Sequence, residues 1–188
     1  MIETIVWIAI FVSAMLAIVS SLLYFYHANS YAIEQANATV SAQRGLEQIM
    51  RVIREGAYSS QGAFPIVSIE ENDFVFYADI DDDALIERVH FYIDGTDFMR
   101  GVLEATGNPP DYSGTETTSV IAEHVRNIEQ NITTFHYYDE LGVEITNFNN
   151  WTAVRFVQVE LAVNVTIGTL PNQFTLNSSA AIRNLAGK

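Results

Sequence analysis

The densest group of side chains that could do chemistry lies in one acidic turn, where Asp79, Asp81 and Asp83 alternate along the chain. Carboxylates at alternating loop positions are typical ligands of Ca²⁺. An EF-hand is excluded, because Ala84 stands where that loop requires glycine and His90 occupies its twelfth position in place of glutamate. The spacing leaves two interpretations open, a weaker Ca²⁺ site in the turn and a solvated hairpin turn without metal.

The remaining polar residues predict no enzyme and no cofactor. The four histidines are scattered at positions 27, 90, 124 and 136, and no two have the spacing of metal ligands. The chain has no cysteine, which excludes disulfides, thiolate chemistry and cysteine-ligated zinc. It also lacks a nucleophile elbow, a phosphate loop and a His-Glu-x-x-His motif. Acidic pairs are abundant only because the chain is acidic, so they give no support for a glycosidase.

The charge balance limits the partners. There are 23 acidic and 9 basic residues among 188, for a formal net charge of −14. Such a surface repels phosphate groups, so nucleic-acid binding through a broad basic patch is excluded. Peripheral binding to anionic lipid is disfavoured for the same reason.

These polar residues follow an element of different composition at the N-terminus. No charged residue occurs between Thr4 and Tyr26, and Glu3 is the single charge at the start of this apolar run. About 20 apolar residues suffice for a transmembrane helix. A cleaved secretory signal is disfavoured, because the run has no basic residue before it and ends in bulky Tyr24 and Phe25. We therefore expect residues 1–27 to form the transmembrane half of a retained helix.

The helical pattern continues beyond the membrane boundary to Gly56, which is a plausible stop. We expect residues 28–56 to be the amphipathic half of one helix about 75 Å long. Its predicted apolar face comprises Ile33, Ala36, Val40, Leu46, Ile49 and Ile53. The predicted polar side comprises Glu34, Gln35, Asn37, Gln43, Arg44, Glu47, Arg51 and Arg54.

Residues 57–188 are predicted to form one globular antiparallel sheet domain. Alternating or aromatic β-branched segments predict strands at 65–69, 74–80, 87–93, 98–103, 132–138, 159–165 and 174–183. The second to fourth of these predict a three-stranded meander, with the dipeptide Asp94-Gly95 as one hairpin turn. Residues 105–118 carry loop signals, and 120–128 are ambiguous, with a short helical or irregular segment favoured. The expected fold class is α+β, a long N-terminal helix packed on an antiparallel sheet.

The chain resembles the type IV pilin and type II secretion pseudopilin class. The N-terminal segment Ile2-Glu3-Thr4-Ile5-Val6-Trp7-Ile8-Ala9-Ile10 matches the helix start of that class. Downstream segments resemble minor pseudopilins of the J/W type; they are 44–55, 74–79, 88–93, 135–139 and 182–185. The resemblance implies a pilin-like fold and assembly residues at Ile2, Glu3, Thr4, Ile5 and Trp7.

Glu3 is the central residue of this resemblance. In the family the matching glutamate is a docking charge that faces the free amine of a neighbouring subunit. A carboxylate at the membrane end of a helix is costly unless it is paired or reaches water, so such pairing is physically reasonable. From spacing alone, an acidic residue that simply favours the helix dipole remains the alternative. The family's glutamate is fifth in the mature chain and follows a basic leader, so the resemblance implies two further residues and a leader upstream of Met1.

The resemblance therefore implies a minor pilin-like or pseudopilin-like structural subunit. Its expected partners are other such subunits through the N-terminal helix, membrane lipid before assembly, and assembly platform proteins. The implied location is the inner membrane, with a single span and the C-terminal domain outside the cytoplasm. The alternative hypothesis is a single-pass, membrane-anchored binding protein that does not polymerise. The sequence does not separate secretion, adhesion, motility and DNA uptake.

Overall fold

The computed structural model describes residues 2–81, 83, 85–166 and 173–185 of this protein. It begins with helix α1 (Ile2–Arg54), which has 53 residues and is roughly 80 Å long at 1.5 Å per residue. No glycine or proline precedes Gly45, so the backbone has no intrinsic break in the first four-fifths of the helix. The prediction of one long helix is confirmed, and its end lies two residues before the expected stop at Gly56.

Two antiparallel sheets follow, with five strands in the order β1-β2-β3-β4-β5 and three in the order β6-β7-β8. A short helix, α2 (Asn127–Gln130), and a 3₁₀ helix (Phe148–Ala153) lie in the connections. The strands are β1 (Ile66–Ile69), β2 (Asp73–Ala78), β3 (Glu87–Asp94), β4 (Asp97–Leu103), β5 (Thr117–Ala122), β6 (Phe135–Tyr138), β7 (Phe156–Val163) and β8 (Phe174–Ala181).

The predicted α+β class and the β2-β3-β4 meander are confirmed, but the meander is longer than predicted. β1 and β5 extend it at its two edges. The expectation of a helical or irregular segment at 120–128 is wrong for residues 120–122, which belong to β5. Thr118, Val120 and their β-branched neighbours pair with β4, and this long-range pairing outweighs the ambiguous local pattern. A helix does begin at Asn127.

The expectation of a single antiparallel sheet is wrong, because β7 pairs with β6 and β8 and these three strands form a separate sheet. Their bounds also differ from the predicted ones. The strands expected at 132–138, 159–165 and 174–183 run from 135 to 138, 156 to 163 and 174 to 181. The turn expected at 170–173 falls mainly outside the described residues. The alternation in β7 predicts one wet face, and Glu160 opposite Asn177 lies on it. The prediction is wrong at the end of the strand, where Ala162 and Asn164, expected on the same face, are buried.

The core is formed by inward-facing aromatic residues that join the two sheets. In β2, alternate residues Phe74, Phe76 and Ala78 are buried, which is the period expected of a strand with one dry face. The ring of Phe74 lies 5.8 Å from Phe135 and 5.5 Å from Tyr137 of the second sheet, measured between centroids. This aromatic contact holds the two sheets together as one domain.

The C-terminal part of α1 packs against this core. Leu46, Ile49 and Ile53 are buried as predicted, and Gly45 allows a close approach to β5. A Cβ atom at position 45 would lie only 2.5 Å from Cγ2 of Ile121. The helix is therefore held against the domain at a separation that a larger residue would not allow.

The predicted apolar face is wrong for the part of α1 between residues 31 and 40. Ile33 and Val40 are 55% and 47% exposed, whereas Tyr31 and Gln35 are buried. The reason is that the helix here faces the polar end of β7, where free backbone groups require hydrogen-bonding side chains. Gln35, assigned to the polar side from sequence, is completely buried.

Candidate functional site

The candidate functional surface is the N-terminal half of α1, which the rest of the chain does not cover. Every residue from 2 to 30 is exposed. Its large apolar side chains are bare; Trp7 is 66% exposed and Phe11 is 64% exposed. Among the described residues, α1 is the one helix long and apolar enough to cross a membrane. An apolar surface that surrounds a helix on all sides requires lipid or other helices as its partner.

The five predicted assembly residues lie together in the first two turns of this protruding half. All are exposed on the described helix; they are Ile2, Glu3, Thr4, Ile5 and Trp7. Glu3 lies in the first turn, where a carboxylate favours the exposed backbone N–H groups and the helix dipole. The next charged residue is Glu34, roughly 46 Å further along the helix. Glu3 is thus the single charge at the far tip of an apolar rod.

Two polar side chains of α1 form an anchor that joins this apolar rod to the domain at the point where the helix first contacts it. The Gln35 side chain donates from Nε2 to the carbonyl of Val163 at 3.0 Å and accepts from the Val165 N–H at Oε1, at 2.8 Å. The Tyr31 hydroxyl donates to Oδ1 of Asn164 at 3.1 Å. These contacts are the first between α1 and the sheets after the exposed segment. They fix the direction in which the rod leaves the domain.

The acidic turn predicted as a calcium candidate lies between β2 and β3. Asp79 and Asp81 approach a third carboxylate, and ligand atoms of the three lie within 4.8 Å of one another. The third member is Glu87 rather than Asp83, whose Oδ1 accepts the Leu85 N–H at 2.5 Å. Glu87 was missed in the sequence. The signal was its alternation with Val89, which places both on the core-facing side of β3.

Glu87 has an unusual environment for a carboxylate. It is completely buried at the core-facing start of β3. Burial, together with the nearby charges of Asp81 and Glu104, raises its pKa to about 7 despite the opposing hydrogen bond from the Ile80 N–H. A carboxyl group in such a place exists partly as the neutral acid near neutral pH.

His90 lies on the outer face of the five-stranded sheet and links β3 to Asp73 of β2 and to Glu116, which precedes β5. Its Nε2 lies 2.7 Å from Oδ2 of Asp73, and its Nδ1 lies 3.1 Å from Oε1 of Glu116. Burial lowers its pKa, but the two carboxylates outweigh burial and raise it overall. With a carboxylate at each ring nitrogen, both nitrogens are engaged and the protonated imidazole is favoured.

A cleft beside β1 is the other concave feature relevant to binding. It is open and is bordered by Val67, Glu70, Asp73 and Tyr92, with Trp151 of the 3₁₀ helix at its rim. The described residues around it include no cluster of nucleophile and base.

A scan against protein-family models finds no match for this chain, and a search of curated proteins also finds none. The resemblance to pilins and pseudopilins therefore stays a prediction from the sequence.

Proposed function

We propose that this protein is a minor pilin-like or pseudopilin-like subunit that assembles through its apolar N-terminal helix into a type IV pilus or type II secretion filament. The observation that carries the proposal is the division of α1. Residues 2–30 are exposed and largely apolar, whereas residues from Tyr31 onward are fixed to the sheets. One half of this rigid helix thus packs in the domain, and the other half is available to lipid or to other helices.

The continuous helix favours a filament over a simple tether. A tethered binding domain needs only a flexible linker after its span, whereas the observed helix continues without a break into the core. Hydrogen bonds from Tyr31 and Gln35 hold the two halves in one direction. A rod with a fixed direction can present the same apolar surface to successive neighbours, as helical assembly requires.

The partner environment changes during the proposed assembly. Before assembly, the apolar half lies in the inner membrane, with the sheet domain outside the cytoplasm. During assembly, it exchanges lipid for the equivalent helices of other pilin-like subunits, with platform proteins guiding the transfer. Close packing and paired polar groups then provide the stabilisation, since lipid is as apolar as the helices themselves. Glu3 would supply the paired charge that sets the axial register.

The absence of cysteine makes a direct test possible, because any introduced thiol is unique. Single cysteines replace Ile5, Phe11 and Leu16 in the protruding half, and Leu141→Cys on the domain, which is 87% exposed, serves as the matched control. The variants are expressed in cells of the natural source, and their single thiols are labelled with a photoactivatable cross-linker in the membrane and in sheared surface fractions. We expect discrete cross-linked adducts for the helix variants and none for the domain control.

Glu3→Ala provides the second arm of the test. We expect it to insert in the membrane and fold normally, but to lose the cross-linked adducts and its place in filaments. Glu34→Ala, the same change at an exposed position of the same helix outside the predicted assembly residues, is the control for local helix changes. Helix variants that remain monomeric, or a Glu3→Ala protein that assembles normally, would contradict the proposal. Monomers throughout would instead support the membrane-anchored binding protein.

A further inference from the structure

The acidic turn between β2 and β3 is separate from the apolar helix surface on which the proposed filament assembly depends. β2 and β3 are antiparallel, and Ala78 at the end of β2 pairs with Glu87 at the start of β3. Asp79 and Asp81 immediately follow β2, so the chain folds back above Glu87. This register places carboxylates from both sides of the turn next to one another, within 4.8 Å.

The second, independent observation is the state of the Glu87 side chain. The residue has 0% relative exposure, and its Oε1 has no hydrogen-bond partner among the described residues. Its other oxygen, Oε2, accepts the N–H of Ile80 at 2.9 Å, which orients the carboxylate toward the loop between Asp79 and Asp81. A buried carboxylate oxygen without a donor or a cation is costly, and a bound cation would remove that cost.

Arginine does not fill that role for Glu87. Arg51 and Arg100 border the neighbouring cleft together with Asp79 and Asp81. Neither makes an ion pair with Glu87, nor does any other basic side chain in the described part of the chain. Within the described residues, no basic side chain therefore neutralises the unpartnered oxygen.

We propose that Asp79, Asp81 and Glu87 bind one Ca²⁺ ion. Two oxygens bound to the same Ca²⁺ at about 2.4 Å lie at most about 4.8 Å apart, and the ligand atoms of the three carboxylates lie within 4.8 Å of one another. Oxygen-only donors favour a hard cation over zinc or copper. Ca²⁺ accepts the irregular arrangement and completes its shell with water, whereas Mg²⁺ demands near-octahedral geometry. One carboxylate of the site is exposed, so water and the ion reach it.

This assignment differs from the alternation-based prediction in a way that can be measured. The spacing predicts Asp83 as the third ligand, whereas the geometry assigns Glu87. The consequence of binding is local: the ion joins the end of β2 to the start of β3 and closes the turn over a buried carboxylate.

The test uses the full chain in detergent micelles, stripped with chelator and kept in about 0.15 M NaCl to screen non-specific attraction to the acidic surface. Ca²⁺ alone is titrated by calorimetry to about 10 mM, which covers the range of extracellular calcium sites. We expect one site per chain, a higher unfolding temperature with Ca²⁺, and weaker binding of Mg²⁺.

Glu87→Gln and Asp79→Asn are the test variants, and each is expected to weaken Ca²⁺ binding at least tenfold. Asp94→Asn, an exposed change of the same kind at the opposite end of β3, should bind Ca²⁺ like the unmodified protein. Without Ca²⁺, Glu87→Gln should unfold at the same or a higher temperature, because it removes a buried charge. That measurement shows that the variant is folded.

Three results would overturn the proposal. One is the absence of Ca²⁺ binding by the unmodified chain over the whole titration. Another is equal affinity in the Glu87→Gln and Asp79→Asn variants. The third is an equal loss in Asp94→Asn, which would indicate diffuse attraction of cations to an acidic protein.

Discussion

Replacing Gln35 by alanine tests whether a polar anchor fixes the protruding helix to the domain. The side chain is completely buried and bridges α1 to the end of β7 through the Val163 carbonyl and the Val165 N–H. Removing it leaves one buried acceptor and one partly buried donor without partners. Each such loss costs about 1–3 kcal/mol. Alanine returns a few tenths of a kcal/mol in helix propensity, so we expect the free energy of unfolding to fall by about 2–4 kcal/mol.

Gln43→Ala is the matched control, because it makes the same chemical change on the same helix at an exposed position. Both variants are unfolded with guanidinium as full chains in micelles and followed by near-ultraviolet circular dichroism of the aromatic core. Hydrogen exchange of the peptide that contains Val165 supplies a local measurement. We expect a lower midpoint and faster exchange for Gln35→Ala, and little change for Gln43→Ala. Equal midpoints and equal exchange in the two variants would refute the anchoring role of Gln35.

Two further predictions concern the packing of α1 and the charge link on the outer sheet face. Gly45→Val should lower the free energy of unfolding by about 2 kcal/mol or more, since its side chain would collide with Ile121; an unchanged denaturation midpoint would contradict the close approach. For His90 the folded pKa is raised, so its contribution to stability is full below the unfolded pKa of about 6.5 and is lost as the pH rises through the folded pKa. The unfolding temperature should therefore fall between acidic and mildly alkaline pH, and His90→Asn should reduce that fall. An unchanged pH profile in the variant would show that the pairing of His90 with Asp73 and Glu116 does not cause the fall.

The sequence predicts the elements whose signals are local. A long uncharged run without helix breakers predicts the N-terminal helix, and alternation within β2, β3 and β4 predicts their strand character and hairpin order. It predicts the ends less well, because they depend on pairing between distant residues. β5 is the clearest case: Val120 and Ile121 have no decisive period, and the pairing of Val120 and Ala122 with β4 determines the strand.

The candidate sites likewise combine features that are local in the sequence with features that depend on pairing between distant residues. The apolar segment and the position of Glu3 at its start follow from the order of the residues. The structure adds that the remainder of the chain leaves both exposed. The acidic turn can be located, but its third carboxylate cannot be chosen by spacing. Asp83 satisfies the alternation, whereas Glu87 approaches Asp79 and Asp81 only because β3 returns beside β2.

By itself, the sequence determined that this protein carries an apolar helix continuous with an α+β domain, because hydropathy and backbone propensity act between near neighbours. The tertiary structure decided which side of that helix is buried and which polar groups meet. Gln35 is buried, although Glu34 and Ala36 on either side of it are exposed, because two backbone groups 128 and 130 residues away require its amide. Hydrogen-bond satisfaction and strand register are properties of the folded chain, and they place Gln35 and Glu87 where local patterns cannot.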